Sequence, residues 1–230
     1  MNVRGLQKLT LLDYPGQVAC TVFTGGCNFR CPFCHNRDLV LTPNGPGISE
    51  EDFFNFLKKR TGILDGVCVT GGEPLLSDGI EDFLSRIRSL GYLIKLDTNG
   101  SFPDRLQALA EKGLIDYIAM DIKNSPERYP ETAGLPAGFD LTPIGESISW
   151  LMKGTVPYEF RTTIVREFHR PEDMLSIGRL IQGASRYYLQ SFAASDTVIR
   201  SGLHGLNAEE MEKYRLLVLP YVPAAQLRGV

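Results

Sequence analysis

An alternation of short β-rich runs with amphipathic helical stretches restricts the fold of this 230-residue chain more than any other feature. The β-rich runs are residues 18–23, 67–70, 93–97, 117–120, 158–165 and 186–189. Helical patterns with recognisable ends lie between them. Ser49 is placed to cap a helix carrying Phe53, Phe54 and Leu57. Ser77 precedes Ile80, Phe83, Leu84 and Ile87, the i, i+3, i+4, i+7 stripe of a helix that faces a core. Pro103 suits a first helical position and Gly113 a C-terminal stop. Residues 143–153 carry Ile144, Ile148 and Leu151 before Gly154, and 171–182 carry Met174, Ile177 and Ile181 before Gly183. Asn207 with Glu210 resembles a capping box that opens a last helix through Met211 and Tyr214. Parallel strands need crossover connections, so six strand–helix units predict an α/β fold with a parallel sheet. Eight such units usually take about 250 residues, which favours a partial (β/α)6, TIM-like barrel. The expected division is a barrel domain over 1–195 and a C-terminal helical extension, 196–230, packed on the same domain.

Parallel sheets place their sites at the C-terminal strand ends. Here those ends read Thr24 to Gly26, Thr70 to Pro74, Asp97 to Gly100, Asp121 to Lys123, Arg161 and Gln190. The net charge of -3 gives no global electrostatic case for a nucleic-acid or lipid partner. No signal-peptide pattern opens the chain, and no apolar run approaches the roughly 20 residues of a membrane span. The expected location is cytoplasmic, where a disulfide framework is improbable and metal binding or catalysis is the better reading of cysteines. Cys20 and Cys68 sit in the apolar runs VACTVF and GVCVT, where cysteine behaves as a small hydrophobe.

The other three cysteines stand together in GGCNFRCPFCHNRD, after the first of these runs, with spacing C-x3-C-x2-C. Zinc sites usually take four ligands, often from paired C-x2-C units, and this chain has no second pair. Three thiolates on one loop can hold three irons of a four-iron cluster and leave the fourth with an open position. The segment resembles the signature of the radical S-adenosylmethionine (SAM) superfamily, with Phe33 as the aromatic before the last cysteine. The resemblance implies a 4Fe-4S cluster on Cys27, Cys31 and Cys34 whose open iron binds SAM. It also implies reductive cleavage of SAM to methionine and a 5′-deoxyadenosyl radical.

Three further segments match in order on successive strand ends. Gly71-Gly72-Glu73-Pro74 is similar to the superfamily's GGE motif, which orients the SAM amino group. Asp97-Thr98-Asn99-Gly100 and Met120-Asp121-Ile122-Lys123 resemble the corresponding segments of pyruvate formate-lyase activating enzymes. By that resemblance Asp97, Thr98 and Asp121 are candidates to hold a monovalent cation, Na+ or K+, beside the SAM carboxylate. Asn99, Asp121 and Lys123 join the SAM-binding set. Phe33, Cys34 and His35 are expected along the adenine, Asn36 near the methionyl end, and Arg161 near the SAM. The match lapses at the sixth run, where the relatives have a histidine and Gln190 is the candidate replacement. His169 and His204 read as surface residues in loops, and Trp150 as packing. The resemblance covers roughly residues 6–192. The opening stretch resembles activating proteins of anaerobic ribonucleoside-triphosphate reductases most closely. This implies an oxidoreductase that abstracts a glycine Cα hydrogen on a partner glycyl radical enzyme, with a flavodoxin- or ferredoxin-type electron donor. The alternatives are a radical SAM enzyme acting on a small molecule or peptide, and a non-catalytic metal-binding protein.

Overall fold

The strands of this chain carry two unlike faces, and the sheet register keeps them apart. The computed structural model describes residues 1–229. Its strands are β1 (Val3–Thr10), β2 (Ala19–Thr24), β3 (Gly66–Gly71), β4 (Leu93–Thr98), β5 (Tyr117–Asp121), β6 (Tyr158–Ile164), β7 (Tyr187–Ser191) and β8 (Ala225–Arg228). They form one sheet in the order β1 to β8, antiparallel between β1 and β2 and parallel from β2 onward. The helices are α1 (Arg37–Leu41), α2 (Glu50–Lys58), α3 (Ile80–Ser89), α4 (Pro103–Glu111), α5 (Tyr129–Ala133), α6 (Thr142–Leu151), α7 (Pro171–Leu180) and α8 (Ala208–Val218). This is the α/β, mostly parallel architecture expected of a partial barrel.

One set of alternating strand residues, among them Val22, Val69, Ile94, Leu96, Ile118, Met120, Phe160 and Leu189, belongs to the main apolar core. Helix side chains complete that core: Phe53 and Phe83 stack at 5.3 Å between α2 and α3, and Ile87, Leu106, Ile148 and Ile177 are buried with them. The other set is polar and runs across the ladder in register. Thr21 pairs with Cys68, Cys68 with Lys95, Asp121 with Arg161, Arg161 with Tyr188 and Thr163 with Gln190. A period of two therefore puts Lys95 and Asp97 on one face of β4. The expected caps form: Ser49 accepts from the Asp52 N–H at 3.0 Å, and Asn207 and Glu210 close a reciprocal box. Pro103 occupies the first turn of α4, and Gly113 follows that helix at φ 68°.

Two strands lie outside the expected six. β1 has the mixed sequence VRGLQKLT and a half-exposed pattern, so its hydrophobicity gives no strand signal. β8 is four residues long and follows α8, so after its helix the expected extension returns to the sheet over Ala225–Arg228. Arg228 on β8 reaches across β7 to Glu159 on β6 with two hydrogen bonds, 2.8 and 3.1 Å, and its guanidinium lies 3.6 Å over the Tyr188 ring. Glu159 has no exposure to solvent and also accepts from the Tyr117 hydroxyl at 2.9 Å. A buried carboxylate that loses its cation keeps its desolvation cost. Arg228→Leu is therefore expected to cost about 3 kcal/mol of unfolding free energy. Urea denaturation checks this, and Arg228→Lys should fall between the variant and the parent.

Candidate active site

The C-terminal ends of β2 to β7 surround a cavity of about 490 Å³. The residues after β2 form its wall, and backbone contacts hold them there. Gly26 N donates to Leu39 O at 2.8 Å, Arg30 N to Ala133 O at 3.0 Å, and Arg200 N to Pro32 O at 2.8 Å. The turn after β3 presses closest. Glu73 N donates to Gly26 O at 2.8 Å, and a Cβ on Gly72 would stand 1.8 Å from that same oxygen. Gly71 has φ +121°, a conformation only glycine adopts freely, and its carbonyl accepts from the Asn36 amide at 2.7 Å. The glycine pair is thus required by backbone geometry.

Cys27, Cys31 and Cys34 all line the cavity, while Cys20 and Cys68 are buried within β2 and β3. Burial pushes the Cys27 thiol up to about 11 and the Cys31 thiol to about 12, and raises Cys34 as well. Burial disfavours their free thiolates, and a bound metal is what would stabilise that anionic form here. Among the described residues no three His, Cys, Asp or Glu side chains converge on a single-ion site. Three thiols spread around a cavity, with the Phe29 N–H 3.4 Å and the Asn99 amide 3.9 Å from Cys27 Sγ, fit a polynuclear iron–sulfur group.

The floor of the cavity is a charge cluster. Arg161 on β6 donates from Nε to Asp121 Oδ1 at 2.9 Å and from a terminal nitrogen to Asp97 Oδ2 at 3.2 Å. Lys123 bonds Asp121 Oδ2 at 2.9 Å, and Lys95 bonds Asp97 Oδ1. Burial by itself raises both carboxyls. Arg161 reverses this at both, helped by Lys95 at Asp97 and Lys123 at Asp121, and holds them below the usual carboxylate range. The Thr98 hydroxyl donates to Glu73 Oε1 at 2.9 Å and accepts from the Gly100 N–H at 3.1 Å. Both carboxylates and the threonine are therefore already bonded within the chain. These residues, as they stand, do not fit an added monovalent cation.

The remaining expected residues divide. His35, Asn36, Gly71, Gly72, Asn99, Lys123, Arg161 and Gln190 line the cavity. Phe33 does not: its ring is buried against Phe168 at 6.2 Å. Glu73 is 1% exposed and also lies off the cavity wall, accepting from Leu75 N, Thr98 Oγ1 and Asn99 N at 3.1, 2.9 and 2.7 Å. It ties the end of β4 to the turn after β3, although burial pushes its carboxyl up to about 7. Glu73→Gln would set an amide N–H2 against one of these donors, with an expected cost of about 1–3 kcal/mol read by denaturation.

Three residues gain roles that their local sequence did not show. Asp13 lines the cavity from the β1–β2 connection and accepts from the Thr21 hydroxyl at 2.5 Å. Phe192, just past β7, packs its ring 5.3 Å from His35. His169 corrects the surface reading, being 2% exposed. Its Nδ1 accepts from the Val165 N–H at 3.1 Å and its Nε2 donates to the Lys123 carbonyl at 2.9 Å, which the neutral ring satisfies. A period-based reading cannot place it, because it lies in the connection between β6 and α7. His204 is exposed as expected and bonds Glu167 at 2.7 Å.

Burial lowers the His169 pKa from its ordinary value. Below pH 6.5 the unfolded chain gains a proton that the folded ring refuses, so this residue makes stability fall as pH drops from 6.5 toward the folded value. The slope is at most about 1.4 kcal/mol per pH unit. His169→Gln should lack that increment, read as the difference between the two proteins' urea midpoints at pH 5.5 and 7.5.

The radical SAM superfamily profile matches residues 21–170. A Methanocaldococcus jannaschii protein that carries the name "Putative glycyl-radical enzyme activating enzyme" is 31% identical over 197 residues, 84% of this chain and 81% of its own length. Pyruvate formate-lyase-activating enzyme of Listeria monocytogenes is 29% identical over 195 residues, 79% of this chain and 76% of its own. A crystal structure of a radical SAM methyltransferase from Sphaerobacter thermophilus superposes with a TM-score of 0.73 at 15% identity. It covers 96% of this chain and 68% of that one. The chain belongs to the radical SAM superfamily. Within it, the chain groups with proteins named as activating enzymes.

Proposed function

We propose that this protein activates a glycyl radical enzyme, by cleaving SAM in the cavity and abstracting a hydrogen from a glycine Cα of that partner. The observation that carries the proposal is the convergence of three cysteine thiols and a charged floor on one cavity, at the mouth of a sheet whose edges are β1 and β8. The similarity to named activating enzymes supports the choice of substrate class.

Cys27, Cys31 and Cys34 would hold three irons of a 4Fe-4S cluster. When bound and reduced, that cluster supplies the electron that splits SAM into methionine and a 5′-deoxyadenosyl radical. The chain's own part is binding and orientation. Gly71 and Gly72 bring backbone close to the loop that would carry the cluster, and Asn36 fixes the Gly71 carbonyl that lines the cavity. Lys123 and Arg161 give the floor positive charge suited to a carboxylate, and His169 holds Lys123 by its carbonyl. Asn99 stands between the glycine turn and Cys27. His35 and Gln190 lie on the wall assigned to the adenosine, with Phe192 against His35.

The partner we assign is an anaerobic ribonucleoside-triphosphate reductase, and the electron donor a flavodoxin- or ferredoxin-type protein, with the reaction in the cytoplasm. No helix of the described residues is long and apolar enough to cross a membrane. The barrel domain is taken as 1–195, with 196–230 packed on it through α7–α8 packing and the β7–β8 ladder.

Anaerobically reconstituted protein with SAM and dithionite is expected to release 5′-deoxyadenosine, and Cys31→Ala to release none. A four-iron protein that leaves SAM intact would end the proposal. Mixing with an anaerobic ribonucleoside-triphosphate reductase should give the glycyl doublet in electron paramagnetic resonance, and pyruvate formate-lyase serves as the competing partner. SAM cleavage without a doublet on either protein would favour a small-molecule or peptide substrate.

A further inference from the structure

Lys95 has no task in SAM binding as assigned above. It is 1% exposed and does not line the cavity. The register sets it beside Cys68 on β3 and Tyr117 on β5, and Asp97 follows two residues later on the same face. Its Nζ bonds Asp97 Oδ1 and lies 3.7 Å from Cys68 Sγ. A lysine is a costly choice for a closed interior position unless its charge is used. Packing alone would be met by a methionine of similar length.

The charge is used at Asp97. Without Lys95, the floor would hold Asp97 and Asp121 against Arg161 and Lys123, and Asp97 Oδ1 would face the interior unpaired. A buried carboxylate whose oxygen is left unpaired either takes up a proton or holds a cation, and a desolvated ammonium is a monovalent cation of similar demand for oxygen. We propose that Lys95 supplies, from within the chain, the positive charge that the family resemblance assigns to a bound Na+ or K+, so that SAM binding here needs no monovalent cation. The disposition of the other oxygens agrees. Asp97 Oδ2 and both Asp121 oxygens are taken by Arg161 and Lys123, and the Thr98 hydroxyl is turned to Glu73. A tethered ammonium also brings the cationic groups to three, Lys95, Lys123 and Arg161, against the carboxylates of Asp13, Asp97 and Asp121, where two cations would leave excess negative charge facing an incoming carboxylate.

The proposal rests on the reading of the cavity as a SAM site, so the test has one arm with SAM and one without. Cluster-loaded wild-type protein and Lys95→Met are compared in choline chloride and in KCl or NaCl at equal ionic strength. Calorimetric SAM affinity of the wild type should change less than about twofold between salts. Lys95→Met should bind SAM about tenfold more weakly in choline chloride, the scale of one lost charge contact, and regain most of that in K+ or Na+. In the absence of SAM, K+ or Na+ should raise the melting temperature of Lys95→Met by about 3 °C, as expected for a recruited ion, and leave the wild type unchanged. A wild type whose SAM affinity rises severalfold with K+ overturns the proposal. So does a Lys95→Met protein that is equally weak, and equally stable, in all salts. A wild type that binds no SAM would remove the reading of the cavity, while the SAM-free melting arm would still decide the role of Lys95. If Lys95→Met does not fold, Lys95→Gln takes its place in both arms, and the wild-type salt comparison stands by itself.

Discussion

The site depends on one guanidinium. Arg161 spans from β6 to carboxylates on β5 and β4, and it can do so only because the parallel register sets Asp121 directly beside it and Asp97 one strand further on. Arginine suits this place because its planar fork donates in two directions at once and stays charged when buried. Both carboxylates would be costly at this buried floor without it. Lys95 and Lys123 complete the set from below and above, so every oxygen of the two aspartates has a donor. The members of the floor are interdependent, since moving any one would leave another's charge unpaired.

The walls are fixed by a different means. Where the floor uses charge, the turn after β3 uses the absence of side chains. Gly72 stands so near the Gly26 carbonyl that no other residue fits, and Glu73 spends both carboxylate oxygens on backbone and hydroxyl donors from the strand end of β4 and its own turn. Backbone locked to backbone in this way sets where Cys27 can be. The loop carrying the three thiols is then held at its far side by α5, whose C-cap Gly134 passes so close to the Arg30 carbonyl that a Cβ would stand 2.1 Å away. These backbone contacts fix the path of the loop that carries the three thiols.

Much of this was legible from residue order. Six strands, the six longer helices and the polar strand ends follow from periodicity and caps, because core-facing residues repeat at 2 and at 3.6, whereas the five-residue helices α1 and α5 are too short to show a period. The chain's edges were not legible. β1 is half exposed and of mixed composition, so nothing in its pattern separates a strand from a loop, and β8 is too short to show a period. Both are specified by pairing with strands already present. At the site, spacing placed the three cysteines on one loop, yet Phe33 and Glu73 turned inward from the cavity, since a motif fixes neighbours in sequence and not the direction of each side chain. Asp13, Phe192 and His169 were missed for a related reason: each reaches the site from a connection, where no period applies.

Lys95 shows how a shared motif can hide a different electrostatic solution. The segment Asp97-Thr98-Asn99-Gly100 reads as an ion-holding sequence by likeness, and the residue that alters its meaning stands two positions before it, inside an apolar strand. Strand geometry makes that position special, because i−2 and i+2 are the nearest residues on the face of Asp97. A cation in solution must be drawn in and desolvated each time, whereas a side chain on the next residue of the same face carries that cost once, in folding. The floor of this cavity is thus completed by the strand itself, and its charge follows the sequence of β4 instead of the salt around the protein.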